Sequence, residues 1–131
     1  MNEMSRNLTD LLAEFCREHS EVRLAYLFGS YARNKARPDS DVDIGIVVKG
    51  QESQLVDLQL ADWLSEAVKK PVDVVVLNRV SAILQHEAIR DGVRLFEASP
   101  MERRLYELTA FKDYVDAMYF QEQRVRRLAH G

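Results

Sequence analysis

One cysteine, Cys16, occurs in 131 residues, so no internal disulfide and no multi-cysteine zinc site can form. Such a chain suits a reducing cytoplasm and needs no staple at this size. Glycine and proline are scarce, five and three, and no Ser/Gly-rich tract separates one part from another. A length inside the ~100–150 residues of a typical domain then implies a single domain over residues 1–131, with every element packed against its neighbours. No apolar run approaches the ~20 residues that cross a bilayer. The polar opening Met1–Asn7 lacks the apolar block of a secretory signal, so no membrane is expected and the localisation expected is cytoplasmic. Neither charge dominates: 18 Lys+Arg against 21 Asp+Glu give a net charge of -3. Bulk attraction to nucleic acid is therefore not expected. His19, His86 and His130 lie far apart and form no two-histidine helical motif for zinc.

What is there alternates between two periods. Leu8, Leu11, Leu12 and Phe15 mark an amphipathic helix over 5–19. Residues 22–28 read as a strand with a sharp exit at Gly29-Ser30, followed by a short helix over 31–36. Arg37-Pro38-Asp39-Ser40 has the chemistry of a turn. A second strand spans 41–48, a second amphipathic helix 52–69, stopped by Pro71, and a third strand 72–77. The third strand is apolar apart from Asp73, which predicts a central place in the sheet. A short helix over 80–90, an edge strand over 93–96 and a long helix over 101–129 complete the chain. The fold class expected is α/β, a small sheet flanked by helices.

Gly29 to Asp43 is the most informative stretch. Alternate strand residues share a face, so Asp41 and Asp43 project side by side while Val42 and Ile44 face the other way. Two carboxylates ~5 Å apart repel by ~3 kcal/mol at an effective dielectric of ~20. Such a pair calls for a cation, a proton or a wet edge, and oxygen-only donors suit Mg²⁺. An isolated Asp-x-Asp is also common in loops, with Asp41 ending the strand and Asp43 in water. Asp73 adds weight: should the third strand lie beside the second, it joins them in one acidic cluster, and otherwise it faces solvent near the strand start. Gly29 permits close approach of a ligand to the backbone, and the Ser30 hydroxyl can hold phosphate oxygens. Together these are ingredients of metal-assisted nucleotidyl transfer.

Gly29-Ser30, ten residues, then Asp41-Val42-Asp43, within Phe-Gly-Ser-Tyr-Ala-Arg, resembles the minimal nucleotidyltransferases of the polymerase-β-like superfamily. Asp73, the Gly92–Phe96 stretch and the long C-terminal helix resemble the MNT-type antitoxins of HEPN/MNT toxin–antitoxin pairs. The resemblance implies a polymerase-β-like fold with a small mixed sheet. It implies that Gly29, Ser30 and Arg33 contact the nucleotide, and that Asp41, Asp43 and Asp73 hold two Mg²⁺ ions and activate the attacking hydroxyl. A surface role for Arg33 is the alternative. The implied activity is transfer of AMP from ATP to a tyrosine of a HEPN-type RNase toxin, with which the chain forms a hetero-oligomer. Two alternatives stand beside it: a non-catalytic antitoxin acting by occlusion, and a transferase for small molecules such as aminoglycosides. The toxin's own Arg, four residues, His, one residue, Tyr motif is not found here.

Cys16 and Trp63 read as packed residues. Leu108, Phe111, Val115, Met118 and Val125 follow a 3–4 spacing interrupted by Glu122. The aromatics Tyr106, Phe111, Tyr114, Tyr119 and Phe120 are expected to cover the sheet, with a partner-binding face as the alternative. Arg124, Arg126 and Arg127 suit the negative end of the helix dipole and a solvated face.

Overall fold

A computed structural model describes residues 2–50 and 55–130. Ten elements follow one another: α1 (Glu3–Glu18), β1 (Val22–Phe28), α2 (Gly29–Ala32), β2 (Val42–Val48), α3 (Val56–Val68), β3 (Val72–Val76), a 3₁₀ turn (Leu77–Arg79), α4 (Ala82–Asp91), β4 (Val93–Glu97) and α5 (Pro100–His130). The short helix expected over 31–36 forms earlier, at the Gly29-Ser30 turn itself. Residues 52–54 of the expected second helix lie outside the described residues.

The strands form one mixed sheet in the order β3-β2-β1-β4. β1 runs antiparallel to both β2 and β4, and β2 runs parallel to β3 through the α3 crossover. Two apolar layers cover it. On one face α1 and α3 bring Leu8, Leu12, Phe15, Leu60 and Leu64 onto Val42, Ile44, Ile46 and Val48. On the other, Leu77 and Ala88 pack on Leu24, Tyr26 and Val47, with Tyr106 at the margin. Burial on both faces explains why β1 and β2 are nearly continuous apolar runs.

Local chemistry sets the ends. Asn2 caps α1, its side chain accepting from the Ser5 amide at 2.8 Å. α3 closes on Lys69 in the left-handed region (φ 59°), whose amide donates to Ser65 O. Pro71 then offers its carbonyl to the Val42 amide, opening the β2–β3 ladder. Ser81 caps α4.

Two expectations are corrected. β3 is an edge strand, not a central one. Its apolar sequence comes from the helix layer that buries Val72 and Val76, not from strands on both sides. Nor does α5 cover the sheet along its length. Its first half is anchored: Arg23 donates through both Nε and a terminal nitrogen to Glu102, Arg103 bonds Glu97 and Glu107, and the Tyr26 hydroxyl donates to Glu107. Ala110 is buried and Tyr114 stacks on His86 of α4 with ring centroids 3.9 Å apart. Beyond Tyr114 every described residue except the half-buried Ala117 and Gln123 is exposed. Phe111, Tyr119 and Phe120 therefore do not serve the core.

Candidate active site

Sheet register assembles the site. Antiparallel pairing sets Phe28, the last residue of β1, opposite Asp43, and parallel pairing sets Asp43 opposite Asp73. Chain direction changes immediately after Phe28 at Gly29, whose φ of +74° is readily adopted only by glycine. A Cβ built on Gly29 would collide with Asp43 Oδ2. The missing side chain is thus the reason the turn and the carboxylate can touch.

Alternation along β2 does the rest. Val42, Ile44 and Ile46 are buried against α1 and α3, so Asp43 points to the opposite face, half-exposed at the end of the strand. Asp41 lies just before β2 and Asp73 is the second residue of β3; both are exposed. Partial burial and the negative charges of Asp73 and Asp41 hold the Asp43 carboxyl above the ordinary carboxylate range, and the nearby Arg33 guanidinium opposes them. The three carboxylates therefore share one electrostatic site. Gly29, Ser30, Arg33, Asp41, Asp43 and Asp73, the six residues singled out from sequence, gather at this end of the sheet. Arg33 is exposed there, within the field of the acids.

Among the described residues no three His, Cys, Asp or Glu side chains close on a common point that would cage a metal by themselves. Mg²⁺ does not ask for such a cage. It takes one or two carboxylates and completes its shell with water and substrate phosphates. An all-oxygen donor set with mutually repelling charge fits an ion that arrives with a nucleotide.

The loop between α2 and β2 is held in shape. The Arg37 amide donates to Ser40 Oγ at 2.7 Å, and the Ser40 amide returns to Arg37 O at 3.0 Å. Lys70 donates from Nζ to Pro38 O and stands 6.0 Å from the Tyr31 ring centroid. Lys70 thus ties α2, this loop and the entry to β3 together, a role that sequence reading missed. Its position just before the strand that carries Asp73 was the available signal. Arg90 and Asp91 were missed too: Arg90 bonds the Asp91 carboxylate and holds it below its ordinary range, with Arg33 contributing.

Other candidates resolve as packing. Cys16 is buried, and burial pushes its thiol up to about 12, the reverse of an activated nucleophile. Trp63 packs on Phe15 with ring centroids 5.6 Å apart.

The molecule is thus a mixed α/β fold whose four-stranded sheet carries neighbouring acids beside a glycine turn. Residues 11–101 match the family described as polymerase beta, nucleotidyltransferase, and the chain belongs to that family. It is 35% identical over 94 residues to a candidate protein adenylyltransferase of Methanocaldococcus jannaschii, covering 71% of this chain and 95% of that one. It is 30% identical over 76 residues to the protein adenylyltransferase MntA of Shewanella oneidensis, covering 58% of this chain and 55% of that protein. Among solved structures, a chain of a toxin–antitoxin crystal structure with AMP-PNP superposes with a TM-score of 0.77 at 21% identity, covering 92% of this chain and 98% of the other. A chain from the complex of tri-AMPylated Shewanella oneidensis HEPN toxin with MNT antitoxin gives 0.72 at 20% identity, covering 95% and 98%. No described helix is long and apolar enough to cross a membrane.

Proposed function

We propose that the chain is a Mg²⁺-dependent protein adenylyltransferase that moves AMP from ATP to a tyrosine of a HEPN-type toxin and thereby acts as its antitoxin. The observation that carries this reading is the contact of the Gly29 turn with Asp43, in register with Asp73. The likeness to protein adenylyltransferases supports the choice of a protein acceptor.

In this reading the Gly29 backbone and the Ser30 hydroxyl hold the triphosphate, and Arg33 contacts its oxygens. Asp41 and Asp43 would hold two Mg²⁺ ions, with Asp73 completing the set. Bound there, the ions would neutralise the triphosphate and the departing pyrophosphate. Asp73, exposed on the edge strand, would help take the proton of the attacking tyrosine hydroxyl. The hydroxyl oxygen bonds to the α-phosphorus as the bond to the β-phosphate bridge breaks, leaving AMP on the tyrosine and free pyrophosphate.

The test is incubation with α-labelled ATP, Mg²⁺ and the HEPN-type protein encoded beside this chain. Label is expected on the toxin with the wild-type chain and none with the Asp41→Ala/Asp43→Ala variant. An unlabelled toxin, or equal labelling by the variant, would sink the reading. Protection of cells by that variant at ordinary expression would favour occlusion instead.

A further inference from the structure

Asp41 lies just outside the sheet ladder. The bond that opens the β2–β3 ladder comes one residue later, where the Val42 amide donates to Pro71 O at 3.0 Å. Asp41 is exposed, so packing does not fix it either. On its other side the chain forms a closed turn, in which Arg37 and Ser40 bond each other. Those bonds hold the shape of the turn but not its place on the molecule. Among the described residues, the only hydrogen bond that residues 36–41 make to the rest of the chain is the one Lys70 Nζ donates to Pro38 O.

Lys70 and Pro71, adjacent in sequence, therefore grip the chain on the two sides of Asp41, at Pro38 before it and at Val42 after it. The grip comes from a firm base. Lys69, in the left-handed region, ends α3 with its amide on Ser65 O at 3.0 Å. The proline that follows disfavours a helical backbone at Lys70, so the chain leaves α3 there. The Ser65 hydroxyl accepts from the Val72 amide at 3.1 Å and donates to Ala61 O at 2.7 Å. Residues 69 and 72 are thus both tied to the last turns of α3. The next residue is Asp73, in register with Asp43. One short segment carries one acid of the candidate site and holds the flanks of another.

We infer that Lys70 is a positioning residue: by holding Pro38 it fixes Asp41 against Asp73 and so sets the spacing of the carboxylates that would take the metal. This rests on the adenylyltransferase reading for what Asp41 does, not for what holds it. In this role the ammonium acts through Asp41 and touches no reacting atom. A charge-assisted hydrogen bond to a carbonyl is strong enough for the task, being roughly twice as strong as a neutral one.

The test compares the wild-type chain with Lys70→Met, which keeps much of the stem and removes the donor and the charge, and with Lys70→Arg, which keeps donor and charge. Without nucleotide or toxin, hydrogen exchange of the Ser40 amide should quicken about 10-fold in Lys70→Met, the loss of one charge-assisted hydrogen bond. By calorimetry, Mg²⁺ should bind at least ~10-fold more weakly to Lys70→Met saturated with a non-hydrolysable ATP analogue, the effect of removing the outer support of a metal ligand. Its kcat for AMP transfer should fall about 10- to 100-fold while KM for the acceptor holds. Lys70→Arg should stay near wild type in all three measurements, and both variants should melt within about 4 °C of wild type. Unchanged kcat and Mg²⁺ affinity in Lys70→Met would overturn the inference, whatever the exchange shows. So would a rise in KM for ATP alone, which would put the ammonium on the triphosphate, and so would equal losses in Lys70→Arg. Should the wild-type chain transfer no AMP, the adenylyltransferase reading fails, and exchange at Ser40 still decides whether Lys70 holds the turn before Asp41.

Discussion

Replacing Gly29 with alanine perturbs the chain in two separable ways. The first is local: at φ +74° an L side chain costs about 1–2 kcal/mol. The second is the collision of the new Cβ with Asp43 Oδ2, with Asp43 Cγ at 3.3 Å close behind it. To reach an ordinary contact distance the carboxylate must swing away by about 1 Å. A displacement of that size at a reacting centre is worth ~100-fold in rate. Gly50 separates the two effects. It too has positive φ, +87°, and among the described residues a Cβ there meets nothing within 4 Å. Gly50→Ala should lower Tm by about 4–7 °C, the backbone cost spread over the unfolding entropy of a chain this long, and leave the rate of AMP transfer alone. Gly29→Ala should lose at least as much Tm and about 100-fold in rate. Scanning calorimetry and initial rates with labelled ATP read both. A Gly29→Ala protein that transfers AMP at the wild-type rate would refute the idea that this close approach shapes the site.

Three further outcomes follow from the same contacts. Asp43 has a folded value raised above its unfolded one, so its protonated form favours the fold and its ionised form opposes it. The Asp43→Asn variant should be more stable than wild type at neutral pH, and the difference in Tm should shrink as pH falls toward the ordinary carboxylate range and Asp43 takes up its proton. Tyr26 is almost fully buried with its hydroxyl on Glu107 at 2.7 Å, so Tyr26→Phe should cost about 1–2 kcal/mol in chemical denaturation. Cys16, buried and with its thiol pushed up, should resist iodoacetamide in the native protein and react fully once urea unfolds it.

The elements were legible because their residues report burial directly. Leu8, Leu12 and Phe15 gave α1, and the Val42/Ile44/Ile46 alternation gave the face of β2 and hence the direction of Asp43. The sharp exit at Gly29 was legible for the same reason, since few residues tolerate that backbone. Position in the sheet was not legible for β3. A run such as Val74-Val75-Val76 says that its faces are covered and nothing about how many strands flank it. α5 shows the other blind spot. The 3–4 spacing of Leu108 to Val125 reports that one side wants to leave water, but the cover can belong to another molecule. Lys70 escaped notice because its hold on Pro38 depends on two loops meeting, which no local pattern records.

The pairing of Phe28 with Asp43 and of Asp43 with Asp73 makes the geometry of the candidate site inseparable from folding. A slip of β2 by one residue would turn Asp43 into the apolar layer and Ile44 out to water. An unpaired carboxylate there is costly enough to forbid that state. Misregistered chains are therefore discarded as unfolded rather than kept as folded but inert molecules. The folded fraction of a preparation counts its competent sites, and a titration of active enzyme should agree with a melting curve.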